Sequence, residues 1–330
     1  MKEYGGYIQL DTYHGREYYP DLLPLSTGRA ALRLLIRARA IKKLFLPALC
    51  CSSVWEACQA EGISWEFYPV DRSLHPVFHQ TLEDGEWLYL VNLYGVLSDM
   101  EIKSMAASVP RFIADYTHAF FQKPLPGIHT LYSCRKFFGV PDGAYLSLGE
   151  EPDLLSAACR ALPKDCSYER MHFLLGRFEA PASDFYSEYA ENNGRFSDEP
   201  PKQMSKLTHN LLRAIDYDDA KRRRTENFSF LHAQLGKYNR LPVPLVSGAY
   251  AYPFWYAGDS PSGAWLRKQL IEKKVYIPVL WPEAAALHPE TAFAHQAAQN
   301  ILPLPVDQRY TREDMEEILK ILFAFLNIPW

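Results

Sequence analysis

Between Ala30 and Leu148 the chain switches repeatedly between short apolar runs and segments whose apolar residues recur at helical spacing. Ala30 to Ala40 has the helical spacing, and Lys43-Leu-Phe-Leu-Pro47 follows as a short buried strand. Val54 to Glu61 predicts a helix and Ser64 to Val70 a strand; Trp87 to Asn92 predicts a strand and Asp99 to Ser108 a helix. Arg111 to Asp115 and Ala144 to Leu148 read as further strands. Parallel neighbours need a crossover between them, so this alternation predicts a mostly parallel sheet covered by helices on both faces. Ligands of such sheets sit at the carboxyl ends of the strands.

The remainder is less regular. From Glu150 to Pro201 helical patches surround a polar run, Ala190 to Asp198, that reads as an exposed loop. Lys206 to Leu235 reads as one long or broken helix, and Leu241-Pro-Val-Pro-Leu245 as a joint between lobes. A short α/β unit follows, with Gly248 to Tyr256, a helix near Ser260 to Lys273, a strand around Val275 to Ile277 and a last helix from Thr311. With 48% apolar and 22% charged residues among 330, the chain can bury a large core and is not a disordered one. Thirty-five basic residues against 39 acidic ones give a net charge of −4, which lacks the footprint of a nucleic-acid binder.

Met1 to Gly15 lacks the apolar run of a signal peptide, and the apolar stretch Ile318 to Leu326 is short and broken by Lys320. Six cysteines without a CxxC pair suggest neither a disulfide scaffold nor zinc. The expectation is a cytoplasmic protein without metal, outside the membrane.

Three places carry candidate chemistry. Thr27-Gly28-Arg29 stands at the start of the first helix, where free N–H groups and the helix dipole suit a phosphate; a Ser26 or Thr27 N-cap without ligand explains the same residues. Asp115 ends a strand, where its carboxylate can pair with a cationic ligand nitrogen or simply cap a turn. Lys136 lies beside Phe137 and Phe138, so partial burial would lower its pKa and free a nucleophilic amine, unless it snorkels over an apolar patch. Arg135 offers a second cation. Lys221-Arg-Arg-Arg224 reads as a solvated helix face, and the Cys50-Cys51 pair as buried packing.

Taken in order, the phosphate cradle, the strand-end aspartate and the lysine resemble enzymes of fold type I that use pyridoxal 5′-phosphate (PLP), and more narrowly the DegT/DnrJ/StrS family of nucleotide-sugar aminotransferases. Ser26-Thr-Gly-Arg-Ala-Ala-Leu32, Leu46-Pro-Ala-Leu-Cys-Cys51, Asn92-Leu-Tyr-Gly95, Ala114-Asp-Tyr-Thr-His-Ala119 and Lys136 followed by Pro141-Asp-Gly143 carry the resemblance, with Val279-Leu-Trp-Pro282 and Asp307-Gln-Arg-Tyr310 near the C-terminus. It implies an α/β fold with a large PLP-binding domain (1–205), built on a mostly parallel seven-stranded sheet between helices, and a smaller C-terminal α/β domain (206–330).

It also implies roles. Lys136 would be the Schiff-base lysine and proton shuttle, Asp115 the partner of the pyridinium nitrogen, and His118 a neighbour of the ring hydroxyl. Thr27, Gly28, Arg29 and Ser133 would hold the phosphate, Cys51 would lie over the ring, and Asn92 would touch the ring hydroxyl or substrate. The implied reaction moves an amino group from an amino acid such as glutamate to a keto-sugar nucleotide, in a homodimer. Three departures separate the chain from the family pattern. Cys51 replaces a ring-stacking aromatic, Ser133 lies three residues before the lysine instead of five, and a single glycine, Gly143, followed by Ala144, replaces a glycine pair. They keep open the alternative of a non-catalytic sugar-binding or regulatory protein, and they mark a divergent branch. Because Lys136 is present, a PLP-dependent dehydration ranks last.

Overall fold

The computed structural model describes residues 4–149, 152–197 and 199–329. A three-residue strand, β1 (Leu23–Leu25), runs straight into α1 (Gly28–Ala38), whose Ala31, Leu32, Leu35 and Ile36 turn into the core. Helix α1 begins where it does because Thr27 is extended and its hydroxyl accepts the Ala30 N–H at 3.0 Å, a cap that contributes about 1 kcal/mol. Then follow β2 (Lys43–Pro47), α2 (Ser52–Ala60), β3 (Ser64–Tyr68), β4 (Glu86–Val91), α3 (Asp99–Ser108), β5 (Phe112–Asp115), β6 (His129–Ser133) and β7 (Ala144–Ser147). Helices α4 (Pro152–Ala161), α5 (His172–Glu179), α6 (Tyr186–Arg195), α7 (Lys206–Leu212) and α8 (Tyr217–Leu235) come next. The chain closes with β8 (Ala251–Phe254), α9 (Gly263–Glu272), α10 (Pro282–Leu287), α11 (Phe293–Asn300), β9 (Leu302–Pro305) and α12 (Arg312–Leu326).

Strands β1 to β7 form one sheet in the order β1-β7-β6-β5-β4-β2-β3. Five neighbours from β6 to β3 are mutually parallel, and β7 is antiparallel to both β6 and β1. Central β5, with Phe112, Ile113, Ala114 and Asp115 all buried, reads as a continuous apolar run because helices cover both faces. Edge strand β3 alternates in exposure instead. The mostly parallel seven-stranded sheet is thus as expected. A separate two-stranded sheet pairs β8 with β9 antiparallel. No helix among the described residues is long and apolar enough to cross a membrane.

The differences from expectation have local causes. Strand β1 carries Pro24 and is too short to show a pattern, while β6 opens on His129 and Thr130, polar residues that are nonetheless buried. Val275 to Ile277 forms no strand: Lys274 turns the chain through φ +63°, and β9 takes the ladder beside β8. The Lys206–Leu235 stretch breaks at Arg213–Asp216, where Asp216 caps α8 by accepting the Asp219 N–H. Leu241 to Leu245 runs as coil. The run from Ala190 is not an exposed loop: it is helical to Arg195, and Asn192 and Phe196 are buried. Glu150, Glu151 and Asp198, at the borders of the stretches read as irregular, lie outside the described residues.

Buried His129 lies 3.2 Å from the Arg39 Nε, and burial followed by that positive charge pushes its pKa down to about 4. The unfolded chain takes a proton near pH 6.5 that the folded chain refuses, so stability falls as pH drops through that window. We predict a loss of about 2 kcal/mol between pH 7.5 and pH 5 from this residue. Urea unfolding of His129→Gln should show a pH slope reduced by that amount; an unchanged slope would contradict it.

Candidate functional site

Hydrogen-bond register decides which residues meet. Leu25 lies opposite Ala144, which lies opposite Ser133, so the ends of β1 and β6 and the start of β7 share one edge of the sheet. Asp115 is level with Leu131 on one side and Val91 on the other. The residues just beyond those ends are therefore Thr27 and Gly28, Asn92, Tyr116 to His118, and the turn Cys134–Lys136. The Gly143 N–H tightens this edge by donating to the Ser26 carbonyl at 2.6 Å, while its own carbonyl accepts from Cys134 at 3.0 Å. Glycine is required there: φ is +119°, and a Cβ would stand 3.0 Å from the Thr208 methyl.

Gly28 is the opposite case. It has no positive φ, and a Cβ would meet nothing nearer than the Thr117 methyl at 3.9 Å. Neither backbone nor packing demands glycine at this helix start, whereas an anion approaching the N–H groups closely would. Arg29 pairs with Glu56 at 3.0 Å, and its Nη1 reaches the Asn193 carbonyl at 3.5 Å. The Ser133 hydroxyl has no hydrogen-bond partner among the described residues and does not cap the turn that follows it.

Asp115 is buried at the end of β5 and accepts from the Tyr89 hydroxyl and the Thr117 N–H, both at 2.7 Å. Burial pushes its carboxyl above the usual range, against those hydrogen bonds and the positive charge of Lys136. A cation on its remaining side would relieve that cost. His118 is equally buried; burial and then the Lys136 charge push its pKa well below the usual value, so it is neutral. The Tyr94 N–H donates to His118 Nδ1 at 3.4 Å, which places the ring proton on Nε2. Tyr94 reaches it from a left-handed backbone, φ 56°, in the Asn92-Leu-Tyr-Gly95 bend. Tyr250 stacks on His118 at 4.4 Å and 10°, with Trp281 tilted at 5.8 Å.

Asn92 is buried at the end of β4. Its amide donates to the Leu97 carbonyl at 3.1 Å and to Gln122 at 2.7 Å, and its oxygen accepts the Leu97 N–H, so the side chain holds the bend. Cys51 is exposed at the start of α2 without capping it, whereas Cys50 is buried; the pair does not pack as a unit.

Lys136 is exposed, with Nζ 5.3 Å from the Tyr250 ring centre. Burial alone would lower its pKa as the sequence suggests, but the acidic groups of Tyr250, Cys51, Tyr189 and Asp115 outweigh it and hold the amine above the usual value. Those neighbours also locate the lysine among β5, α2, α6 and the segment before β8. The residues present fit PLP: an open helix start for its phosphate, a buried carboxylate for its ring nitrogen and an accessible amine for its carbonyl.

The sequence did not reveal Tyr89, Tyr250, Tyr189 or Arg224 as neighbours of the site, since they come from elements distant in the chain. Arg224 overturns the reading of its basic run as a uniform solvated face: Arg222 and Arg223 pair with Asp219 on the outside, but Arg224 is 2% exposed. It donates to the carbonyls of Phe137 (3.1 Å), Ala249 (2.9 Å) and Tyr250 (3.4 Å) and to Gln308 (2.7 Å), stacked on Phe137. We predict that Arg224→Leu, which orphans these acceptors, lowers stability by about 2–4 kcal/mol; Arg222→Leu should cost well under 1 kcal/mol. Urea midpoints of the two variants make the comparison.

No protein-family model and no curated protein matches the chain. Solved structures do. NtdA from Bacillus subtilis with bound cofactor PMP matches 93% of this chain and 73% of its own, at 15% identity and TM-score 0.67. The sugar aminotransferase CalS13 from Micromonospora echinospora matches 92% and 87%, at 16% identity and TM-score 0.64. A DegT DnrJ EryC1 StrS aminotransferase from Brucella abortus matches 92% and 85%, at 13% identity and TM-score 0.61. The chain has the fold of these aminotransferase structures.

Proposed function

We propose that the chain is a PLP-dependent aminotransferase that moves an amino group from an amino acid, such as glutamate, to a keto-sugar nucleotide. The observation that carries this reading is the convergence of Lys136, Asp115 and the start of α1 on one sheet edge, on a fold shared with a PMP-bound protein and a sugar aminotransferase. When bound, the cofactor supplies an electron sink for the substrate's α-carbon. Asp115 would hold a proton on the ring nitrogen, and neutral His118 would offer Nε2–H to the ring hydroxyl. Thr27, Gly28, Arg29 and Ser133 would hold the phosphate, and Cys51 would lie over the ring in place of an aromatic. Lys136 would tether the cofactor and, once released, carry the proton to and from the substrate carbon. We further read the chain as a 1–205 cofactor domain and a 206–330 domain joined through Arg224, acting as a cytoplasmic homodimer.

Protein mixed with PLP should develop a visible absorption band that borohydride bleaches while fixing the cofactor to the Lys136 peptide. Lys136→Ala should show no band and no amino transfer. Because Lys136 is held protonated at neutral pH and only the free amine attacks, the rate of cofactor capture should climb from pH 7 to pH 9. Amino transfer by Lys136→Ala, or labelling of another lysine, would refute the assignment.

A further inference from the structure

We infer that Arg135 is an oxyanion subsite that receives the carboxylate of the amino-acid donor. The inference rests on the aminotransferase reading and extends it to how the donor is recognised.

Arg135 precedes Lys136 in the same turn, and Tyr189 of α6 lies within the electrostatic reach of both. It lies over the Phe196 ring at 4.7 Å, with Arg170 over the same ring at 5.0 Å, and Nη2 donates to the Asn193 amide oxygen. Among the described residues Arg135 has no carboxylate at ion-pair distance. The two guanidiniums that share its field are both matched, Arg29 by Glu56 and Arg170 by Asp165. Asp142, whose negative charge reaches Arg135, is committed to Ser205 and Thr208.

Helix α6 supplies the second observation. Tyr189, Asn192, Asn193 and the following Phe196 are spaced as one helix face, and three of them engage the site: Tyr189 through the charges of Arg135 and Lys136, Asn193 through Arg135 and Arg29, Phe196 through Arg135. The fourth, Asn192, is 4% exposed, and neither its amide nitrogen nor its amide oxygen has a partner. A buried amide without a partner is costly. Asn192 directly precedes Asn193, which already bonds Arg135, so α6 carries an unused amide next to the residue that holds an unmatched guanidinium, and a planar oxyanion takes up both a guanidinium fork and an amide N–H.

Of the anions in the proposed reaction, the cofactor's phosphate has its own place at the start of α1. The sugar nucleotide carries its phosphates several bonds from the reacting carbon. The donor's carboxylate is bonded to that carbon, which Lys136 must address, and Arg135 shares with Lys136 both its turn and its neighbour Tyr189.

The experiment titrates glutarate, an unreactive dicarboxylate, into wild-type protein, Arg135→Gln, Arg135→Lys and Asn192→Leu, with and without PLP, by calorimetry. Loss of a charge-assisted hydrogen bond should weaken glutarate binding about 10- to 100-fold in Arg135→Gln, with partial recovery in Arg135→Lys and a smaller loss in Asn192→Leu. Equal glutarate affinity in wild type and Arg135→Gln overturns the inference. So does a tenfold loss of PLP or inorganic phosphate affinity in Arg135→Gln with glutarate unaffected, which would give the arginine to the cofactor's phosphate. Failure of the aminotransferase reading would show separately, as no cofactor capture at Lys136, while the titration without PLP still decides the role of Arg135.

Discussion

The parallel ladder from β6 through β5 to β4 is the constraint on which the site depends. A parallel pair fixes each strand's end relative to its neighbour, and a one-residue slip would turn every side chain of the slipped strand to the other face. Asp115, Ser133 and Asn92 are brought to one edge by the ladder itself: the Asn92 N–H donates to the Asp115 carbonyl at 2.9 Å, and Ser133 is paired with Ala144. The antiparallel insertion of β7 then returns the chain so that Gly143 ties the start of α1 to the lysine turn. Side-chain chemistry is laid on top of a backbone arrangement that stands without it.

The charges of the site are arranged as a chain of mutual dependence. Asp115 is uncomfortable where it lies, and Lys136 is the positive charge that eases it. The same positive charge discourages protonation of His118, which keeps the imidazole a neutral donor. Removing Lys136 shifts both of the others, so effects of substitution here are not additive.

The strands with continuous apolar sequence, β2, β4, β5 and β7, were legible from the sequence, as were Thr27, Asp115 and Lys136, because each stands at a boundary marked by its neighbours. What escaped was whatever is decided by tertiary contact. Strand β6 hides His129 and Thr130 behind neighbours that only the fold supplies. The polar letters of α6 conceal a face turned inward, and a buried arginine in a row of three looks like its exposed companions. Asn92 fits a family motif by letter, yet its amide is consumed by the bend that carries it. The raised rather than lowered pKa of Lys136 arises from Tyr250 and Tyr189, which the lysine's local sequence cannot announce.

Arg224 reaches backward to Phe137 and forward to Ala249, Tyr250 and Gln308. Every strand of the large sheet precedes residue 148, whereas the carbonyl beside Lys136 gains its two donors, Arg224 and then Gln308, only as the later chain is made. The lysine turn is thus finished by residues made long after it, and its geometry reports a completed fold.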